Sequence, residues 1–346
     1  MTHRLLTLSG ILAALVVFTA WRSTDRHAYF SNYENVLGTS FQLKVIAENE
    51  SIASAAEETA LTEIDRLSSI LSSYDPQSEF SRWQKTFNQD IPVSKELFEV
   101  LSLFDQWRLK TGGALNASAG IAIAAWQQAA QQQILPDPAE LALAAAHMNQ
   151  SHWLLDPERQ TARRITRYPL VINTFAKSYI IDKATRRVTQ LKGVTNATLD
   201  IGGDLVVRGA GEDHITIVNP KATADNDRPL SFIKVKNKTV ATSGNYRRGY
   251  RIQNDWYSHI IDARTAIPAR EIISATVVSD NPTDAGALAT AFNLLTPEES
   301  AALAGAFPGV DYLIITKSGR QFMSEHWNML EETGPTSESF QSSIGQ

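Results

Sequence analysis

The chain has 346 residues, 43% of them hydrophobic and 20% charged, the make-up of a folded protein long enough for one large core or two smaller ones. Its formal net charge of -5, with no run of Lys and Arg, argues against a nucleic-acid partner, which calls for a basic stripe to neutralise phosphates. There is no Cys, which removes disulfides, thiolate metal sites, cysteine nucleophiles and lipid attachment through Cys.

At the N-terminus Arg4 precedes an almost purely apolar stretch from Leu5 to Trp21, followed by Arg22, Ser23, Thr24, Asp25 and Arg26. Residues 1–24 read as a signal peptide or an uncleaved membrane anchor, with a buried helix of the fold as the plainer alternative. Phe18 stands where a cleavage site after Ala20 prefers a small residue. Either export reading delivers the body outside the cytoplasm, to a bacterial periplasm or the outward face of an inner membrane.

After a short linker, Gly38 to Ala47 alternates apolar and polar side chains as a half-buried strand does, and Ser51 to Leu71 has helical spacing. Tyr74 to Ser78 reads as a turn. Lys95 to Lys110 predicts an amphipathic helix with Leu97, Val100, Leu101, Phe104 and Trp107 on one face, stopped by Gly112-Gly113. Ala122 to Gln150 carries Pro136 and Pro138 and predicts two helical pieces with a solvated Gln-rich patch. From Pro169 the texture turns to short β-branched runs: Leu170–Ile172, Ala197–Ile201, Leu205–Arg208, Ile215–Val218, Ile233–Val235, Ala275–Ser279 and Tyr312–Thr316. Helices at Ser178–Leu191 and Ala285–Leu295 interrupt them, an order that favours α+β over a doubly wound sheet. The tail at 333–346, rich in Gly, Pro, Thr, Ser and Gln, has the composition of a disordered segment.

Four segments carry chemistry, each with a plainer reading beside it. Gly202-Gly203 lies between two strand-like runs, where glycine lets backbone N–H groups approach a phosphate or flat ring; a hairpin turn explains it equally. Ala241 to Arg248 combines Thr242, Ser243, Gly244, Tyr246 and two arginines, which suits an anion or a solvated loop. Tyr257-Ser258-His259-Ile260-Ile261-Asp262 alternates as a strand, so pairing His259 with Asp262 needs a bend. His259 is then a proton acceptor or a satisfied structural residue. Asp280 to Thr290 reads as a capped helix start that could also attract phosphate.

Taken in order, these motifs resemble the ApbE family, the FAD:protein FMN transferases. Leu37-Gly38-Thr39 resembles its Met-Gly-Thr, and Tyr74 with Ser78, Glu79 and Ser81-Arg82 its Tyr and Ser-x-x-Ser-Arg stretch. Gly113-Ala114-Leu115-Asn116 resembles its Ala-Phe-Asp run, and Asn173 to Tyr179 with Asp182 its Lys-Gly-Tyr motif. Gly202-Gly203, Ala241 to Tyr246, Tyr257 to Asp262 and Ala287 to Thr290 complete a series that runs from Val36 to Arg320.

The resemblance implies mixed, largely antiparallel sheets with flanking helices over residues 25–332. It also implies transfer of the FMN moiety of FAD to a Thr or Ser of an extracytoplasmic acceptor flavoprotein or redox-complex subunit, releasing AMP. By the same resemblance Leu37, Tyr74, Ala114, Leu115, Asn116, Lys177, Gly202, Gly203, Ser243, Tyr246 and Ile261 line the FAD site. His259, with Asp262, is the base or orienting group at the phosphates, and Thr174 and Thr290 are Mg2+ ligands. The family's acids are absent at Asn116, Val171 and Gly286, which weakens metal affinity unless Asp284 or Asp262 substitutes, with Asp284 the expected metal ligand. Those losses keep open a non-catalytic FAD carrier or scaffold, or an FAD pyrophosphate hydrolase.

Overall fold

The computed structural model describes residues 26–222, 227–246 and 248–332. The N-terminal signal or anchor and the tail at 333–346 lie outside the described residues, as does Arg247. Eight strands pair in chain order, each neighbour antiparallel: β1 (His27–Val36), β2 (Thr39–Ala47), β3 (Val194–Ile201), β4 (Asp204–Gly209), β5 (Thr239–Gly244), β6 (Ile272–Ser279), β7 (Asp311–Thr316) and β8 (Gln321–Met323). The helices are α1 (Glu50–Leu71), α2 (Glu79–Trp83), α3 (Lys95–Lys110), α4 (Gly120–Gln132), α5 (Pro138–Met148), α6 (Asn173–Thr189), α7 (Pro282–Phe292) and α8 (Pro297–Ala304). This is the α+β architecture with antiparallel sheets and flanking helices that the sequence implied.

Strand alternation decides what each sheet face covers. Val206, Val277 and Ile314 enter one core, whereas Val207, Val278 and Ile315 enter another. On the first face α1, α6 and α7 lie side by side. α1 buries Ala53, Ala56, Ala60, Ile64, Leu67 and Leu71 at helical spacing, and the Asn49 side chain caps it by accepting from the Ile52 N–H. On the second face a three-stranded sheet (Asp213–Ile217, Ser231–Val235, Glu331–Glu332) and the fully buried Trp327 cover β4 to β7. A third core joins α4 and α5 to the segment between β5 and β6, with Trp126 stacked on Tyr257 at 4.9 Å between ring centroids.

Two left-handed turns close one end of the sheet. Leu37 (φ 51°) and Gly38 (φ 73°) join β1 to β2, and Gly202 (φ 57°) and Gly203 (φ 91°) join β3 to β4. Two consecutive positive φ values match the right-handed twist of a hairpin. The turns adjoin, because the Gly202 N–H donates to Ser40 O at 3.2 Å. A Cβ on Gly202 would lie 2.7 Å from the Thr39 side chain.

Three expectations need correction. Residues 27–36 form a strand and not a linker; β1 is an edge whose outward side chains, such as Phe30 at 68% exposure, blur the apolar alternation. Leu170–Ile172 makes no strand, since each amide finds a different partner: Gln84 Oε1 at 2.6 Å, Ala117 O at 2.7 Å and Ser73 Oγ at 3.2 Å. Consequently α6 begins at Asn173, five residues before the expected start at Ser178.

Trp327→Ala is expected to cost about 3–5 kcal/mol of stability, read from urea unfolding, because the two sheets lose the side chain that separates them. Gly202→Ala should cost about 1–3 kcal/mol by overpacking. Adding Thr39→Ala to that variant should recover part of the loss, which a double-mutant cycle measures.

Candidate functional site

The Gly202-Gly203 turn is held from beneath by α6. Lys177 Nζ donates to Ile201 O at 3.3 Å and Gly202 O at 3.2 Å, and stands 3.6 Å from Asp204 Oδ2. Ser178 Oγ donates to that same carboxylate at 2.9 Å. Asp200 accepts the Gly203 N–H at 3.0 Å. Burial raises the Asp200 carboxyl above its ordinary pKa; the Gly203 N–H opposes this, Asp204 adds to it, and Lys177 opposes it. The turn is therefore a polar platform whose carboxylates are already engaged.

The start of α6 faces the same end of the sheet and carries Thr174, half-buried, in its first turn. Its N-cap, Ile172, offers no side-chain hydrogen bond, in contrast to the Asn49, Ser94 and Asn281 caps of α1, α3 and α7. First-turn N–H groups without a side-chain acceptor, together with the helix dipole, favour an anion. Asn173 Nδ2 donates to the Tyr74 hydroxyl at 2.9 Å, and Tyr74 is 81% exposed. Tyr250, on the strand Gly249–Ile252 of the segment between β5 and β6, comes near Tyr74. Its phenol pKa is raised by burial, lowered by a hydrogen bond with Gln127 of α4 and raised by the nearby Tyr74. Sequence reasoning missed Tyr250; the signal is the short alternating hairpin of residues 249–258, in which Tyr250 faces Tyr257.

The second wall is the segment between β5 and β6, to which the Tyr250 strand also belongs. The strand Asp255–Ser258 ends before His259 and the chain re-enters a two-residue strand at Ile261–Asp262. Tyr257 and Ser258 are therefore both buried, and the expected alternation stops at His259. Arg248 O accepts the His259 backbone N–H at 3.2 Å and its Nδ1–H at 3.0 Å. A carbonyl only accepts, so Nδ1 carries the proton and the neutral ring presents Nε2 as its lone pair. His259 keeps an exposed surface, yet protein surrounds it on most sides. That desolvation lowers its pKa below 6.5; the Arg248 carbonyl bond opposes the shift and the Arg248 charge adds to it.

Asp262 does not orient His259. Its carboxylate is clasped by Arg264, whose Nη2 donates to Oδ2 at 2.6 Å and Nε to Oδ1 at 3.0 Å, and it also accepts the Arg264 N–H at 2.9 Å. The bend lets Asp262 cap its own turn, which Ala266 completes with a positive φ of 61°. Arg264 Nη2 also reaches Leu294 O at 3.3 Å, tying the segment to the end of α7. Ala263 N–H donates to Ala114 O at 3.2 Å, while the buried Ile261 packs in the third core with Trp126 and Tyr257 and the buried Ala114 and Leu115 belong to the core under the sheet. The Asn116 amide is spent internally, donating to Met148 O at 2.7 Å and accepting from Ser118 N–H at 3.0 Å.

At the end of β5, Ser243 O accepts Asn293 Nδ2 at 3.1 Å, and the Tyr246 ring lies so close over Gly244 that a Cβ there would be 2.6 Å from it. Thr242 N–H donates to Gly203 O at 3.1 Å. These contacts form a chain from Tyr74 through Asn173, Lys177, the Gly202-Gly203 turn, Ser243, Asn293 and Arg264 to Asp262 and Ala114, the ring of contacts around the cleft being open between Ala114 and Tyr74.

The metal set does not converge in that ring. α7 runs against α6, because Arg208 Nη2 bridges Asp182, midway along α6, and Asp280 O, just ahead of α7. Thr174 and Thr290 therefore lie toward one end and Asp284 toward the other. Asp284 and Thr290 are separated by about 9 Å along the helix and about 120° around it. Asp284 has a raised carboxyl pKa through burial, opposed by Lys110 of α3. Thr290 Oγ1 donates to Gly286 O at 3.1 Å. Mg2+ requires oxygen ligands in near-octahedral geometry, and among the described residues no group of three or more His, Asp or Glu could hold a metal ion. The residues named for Mg2+ do not fit it. The start of α7 instead borders a separate cleft of about 630 Å³ lined by Phe98, Tyr179, Asp182 and Pro282.

The family model described as the ApbE family matches residues 37–314. The FAD:protein FMN transferase of Treponema pallidum is 28% identical over 307 residues, covering 83% of this chain and 84% of its own. That of Vibrio cholerae is 27% identical over 321 residues, covering 90% and 94%. The crystal structure of the ApbE protein of Thermotoga maritima superposes with a TM-score of 0.76 at 24% identity, covering 89% of this chain and all of that one. Flavin transferase ApbE from Vibrio cholerae gives 0.70 at 23%, covering 88% and 100%. The match spans the platform, both walls and the helices that carry them, and the chain belongs to the ApbE family.

Proposed function

We propose that this chain transfers the FMN moiety of FAD to a Thr or Ser hydroxyl of an acceptor protein outside the cytoplasm and releases AMP. The observation that carries the reading is His259. Its neutral ring is held at Nδ1 by the Arg248 carbonyl and leaves Nε2 with no side-chain or backbone partner among the described residues. The names of its relatives, FAD:protein FMN transferase, support the reaction class.

Chemically, the acceptor oxygen attacks the phosphorus on the FMN side of the diphosphate, a P–O bond to that phosphorus forms, and the P–O bond to the AMP phosphate breaks. The bond electrons leave with AMP. The hydroxyl proton passes to His259 Nε2, which raises the nucleophilicity of the oxygen as it approaches a negatively charged centre. Tyr74 and Tyr250 supply flat apolar surface suited to the isoalloxazine. Lys177 and the α6 start supply the positive potential for the phosphates. Arg4 and the apolar stretch from Leu5 to Trp21 support delivery of this body to an extracytoplasmic acceptor, with the segment retained as an anchor if uncleaved.

A second reading, flavin binding without transfer, is favoured by the lack of carboxylates at Asn116, Val171 and Gly286. Full-length protein incubated with FAD and a Thr-bearing acceptor is expected to form AMP and acceptor-bound flavin in equal amounts; tight FAD binding with no AMP selects the second reading. His259→Ala should lower the AMP-forming rate by about 10²–10⁴-fold, the usual worth of a positioned base. A base must be neutral, and the shift keeps His259 neutral further into acid. The acid limb of the rate profile should therefore fall below pH 6.5, and a limb above that value removes His259 from the role.

A further inference from the structure

The ring of contacts that would receive the FAD diphosphate contains carboxylates, but each is engaged. Asp204 takes Ser178 Oγ and faces Lys177; Asp262 is clasped by Arg264; Asp200 takes the Gly203 N–H and has a raised pKa. The one acid available as a substitute ligand, Asp284, sits toward the far end of α7 beside Lys110. A divalent cation bridging the phosphates would find hydroxyls but no free charged oxygen, which is the donor it needs to give up its water.

Positive groups also face this end of the sheet, Lys177 among them although it is already paired with Asp204. The first turn of the 17-residue α6 has no side-chain cap. Lys177 Nζ donates to two carbonyls at its edge and keeps about a third of its side chain exposed. Arg248 is exposed, its carbonyl meets His259 Nδ1 at 3.0 Å, and its charge depresses the imidazole. A guanidinium is always charged and matches the fork of a phosphate with two hydrogen bonds. Two cations and one helix start are enough to face the two charges of a diphosphate.

We infer that this chain holds the diphosphate of FAD through the α6 N-terminus, Lys177 and Arg248, without a divalent metal ion. The inference rests on the FAD reading of the site and deepens it by naming what neutralises the substrate. Arg248 is a binding residue here, and its carbonyl fixes the His259 tautomer while its side chain meets the phosphate. One residue thereby couples substrate charge to the base.

The test is an FAD titration of the full-length protein, followed by flavin fluorescence, in excess EDTA and in excess Mg2+. The two Kd values should agree within about twofold, and Arg248→Gln should weaken binding by about tenfold in EDTA, as loss of a charge-assisted contact does. Circular dichroism of the variant checks that the exposed substitution leaves the fold intact. Binding that appears only with Mg2+, or equal Kd values for Arg248→Gln and the parent in EDTA, overturns the inference and leaves FAD recognition standing. Absence of FAD binding in both media overturns the FAD reading itself and the inference with it.

Discussion

An antiparallel meander returns the chain to the same edge at every second connection, and the turns of β1–β2 and β3–β4, the start of α6, the end of α7 and the excursion between β5 and β6 all meet at that edge. Everything proposed for the site depends on this convergence. The Gly202-Gly203 turn has the clearest constraint: both residues adopt positive φ, and Gly202 lies against Thr39 where a Cβ has no room. Because the turn is tight, Lys177 can reach its carbonyls from α6 and the helix start can stand beside it. Packing of α1, α6 and α7 on the sheet then fixes the helix directions, and with them which helix ends face the cleft.

The second wall is held by a different device. Trp126 and Met148 bury Tyr257 and Ile261, while Asp262 and Arg264 form a half-buried ion pair that anchors the turn to Leu294. Such a pair contributes more to register than to stability once desolvation is counted. With the segment so anchored, His259 projects from the break between two short strands, where its Nδ1–H meets the Arg248 carbonyl. The site is thus a platform and a separately packed wall, with Lys177 and the α6 start on the platform and His259 and Arg248 on the wall.

Much of this was legible in the sequence. α3 spans Lys95–Lys110 as read, because Ser94 caps it, one face is apolar and Gly112-Gly113 ends it. α4 and α5 break at Pro136 as expected. The ordered motifs named the family. What escaped was three-dimensional. β1 is an edge strand whose exposed side chains hide its period, and the amides of Leu170–Ile172 go to three unrelated acceptors in place of a ladder. The partner of Asp262 is two residues downstream, a choice made by the bend and invisible to alternation. Asp284 looked close to Gly286 in sequence, yet the direction of α7 carries it away from Thr290.

The account stands or falls on where the diphosphate lies. The most direct measurement is a crystal structure of the full-length protein with FAD bound. The account predicts the diphosphate within hydrogen-bond reach of the first-turn N–H groups of α6 and of His259 Nε2, with the isoalloxazine against Tyr74. A diphosphate in the cleft bordered by Phe98, Asp182 and Pro282, or one turned away from His259, would contradict it.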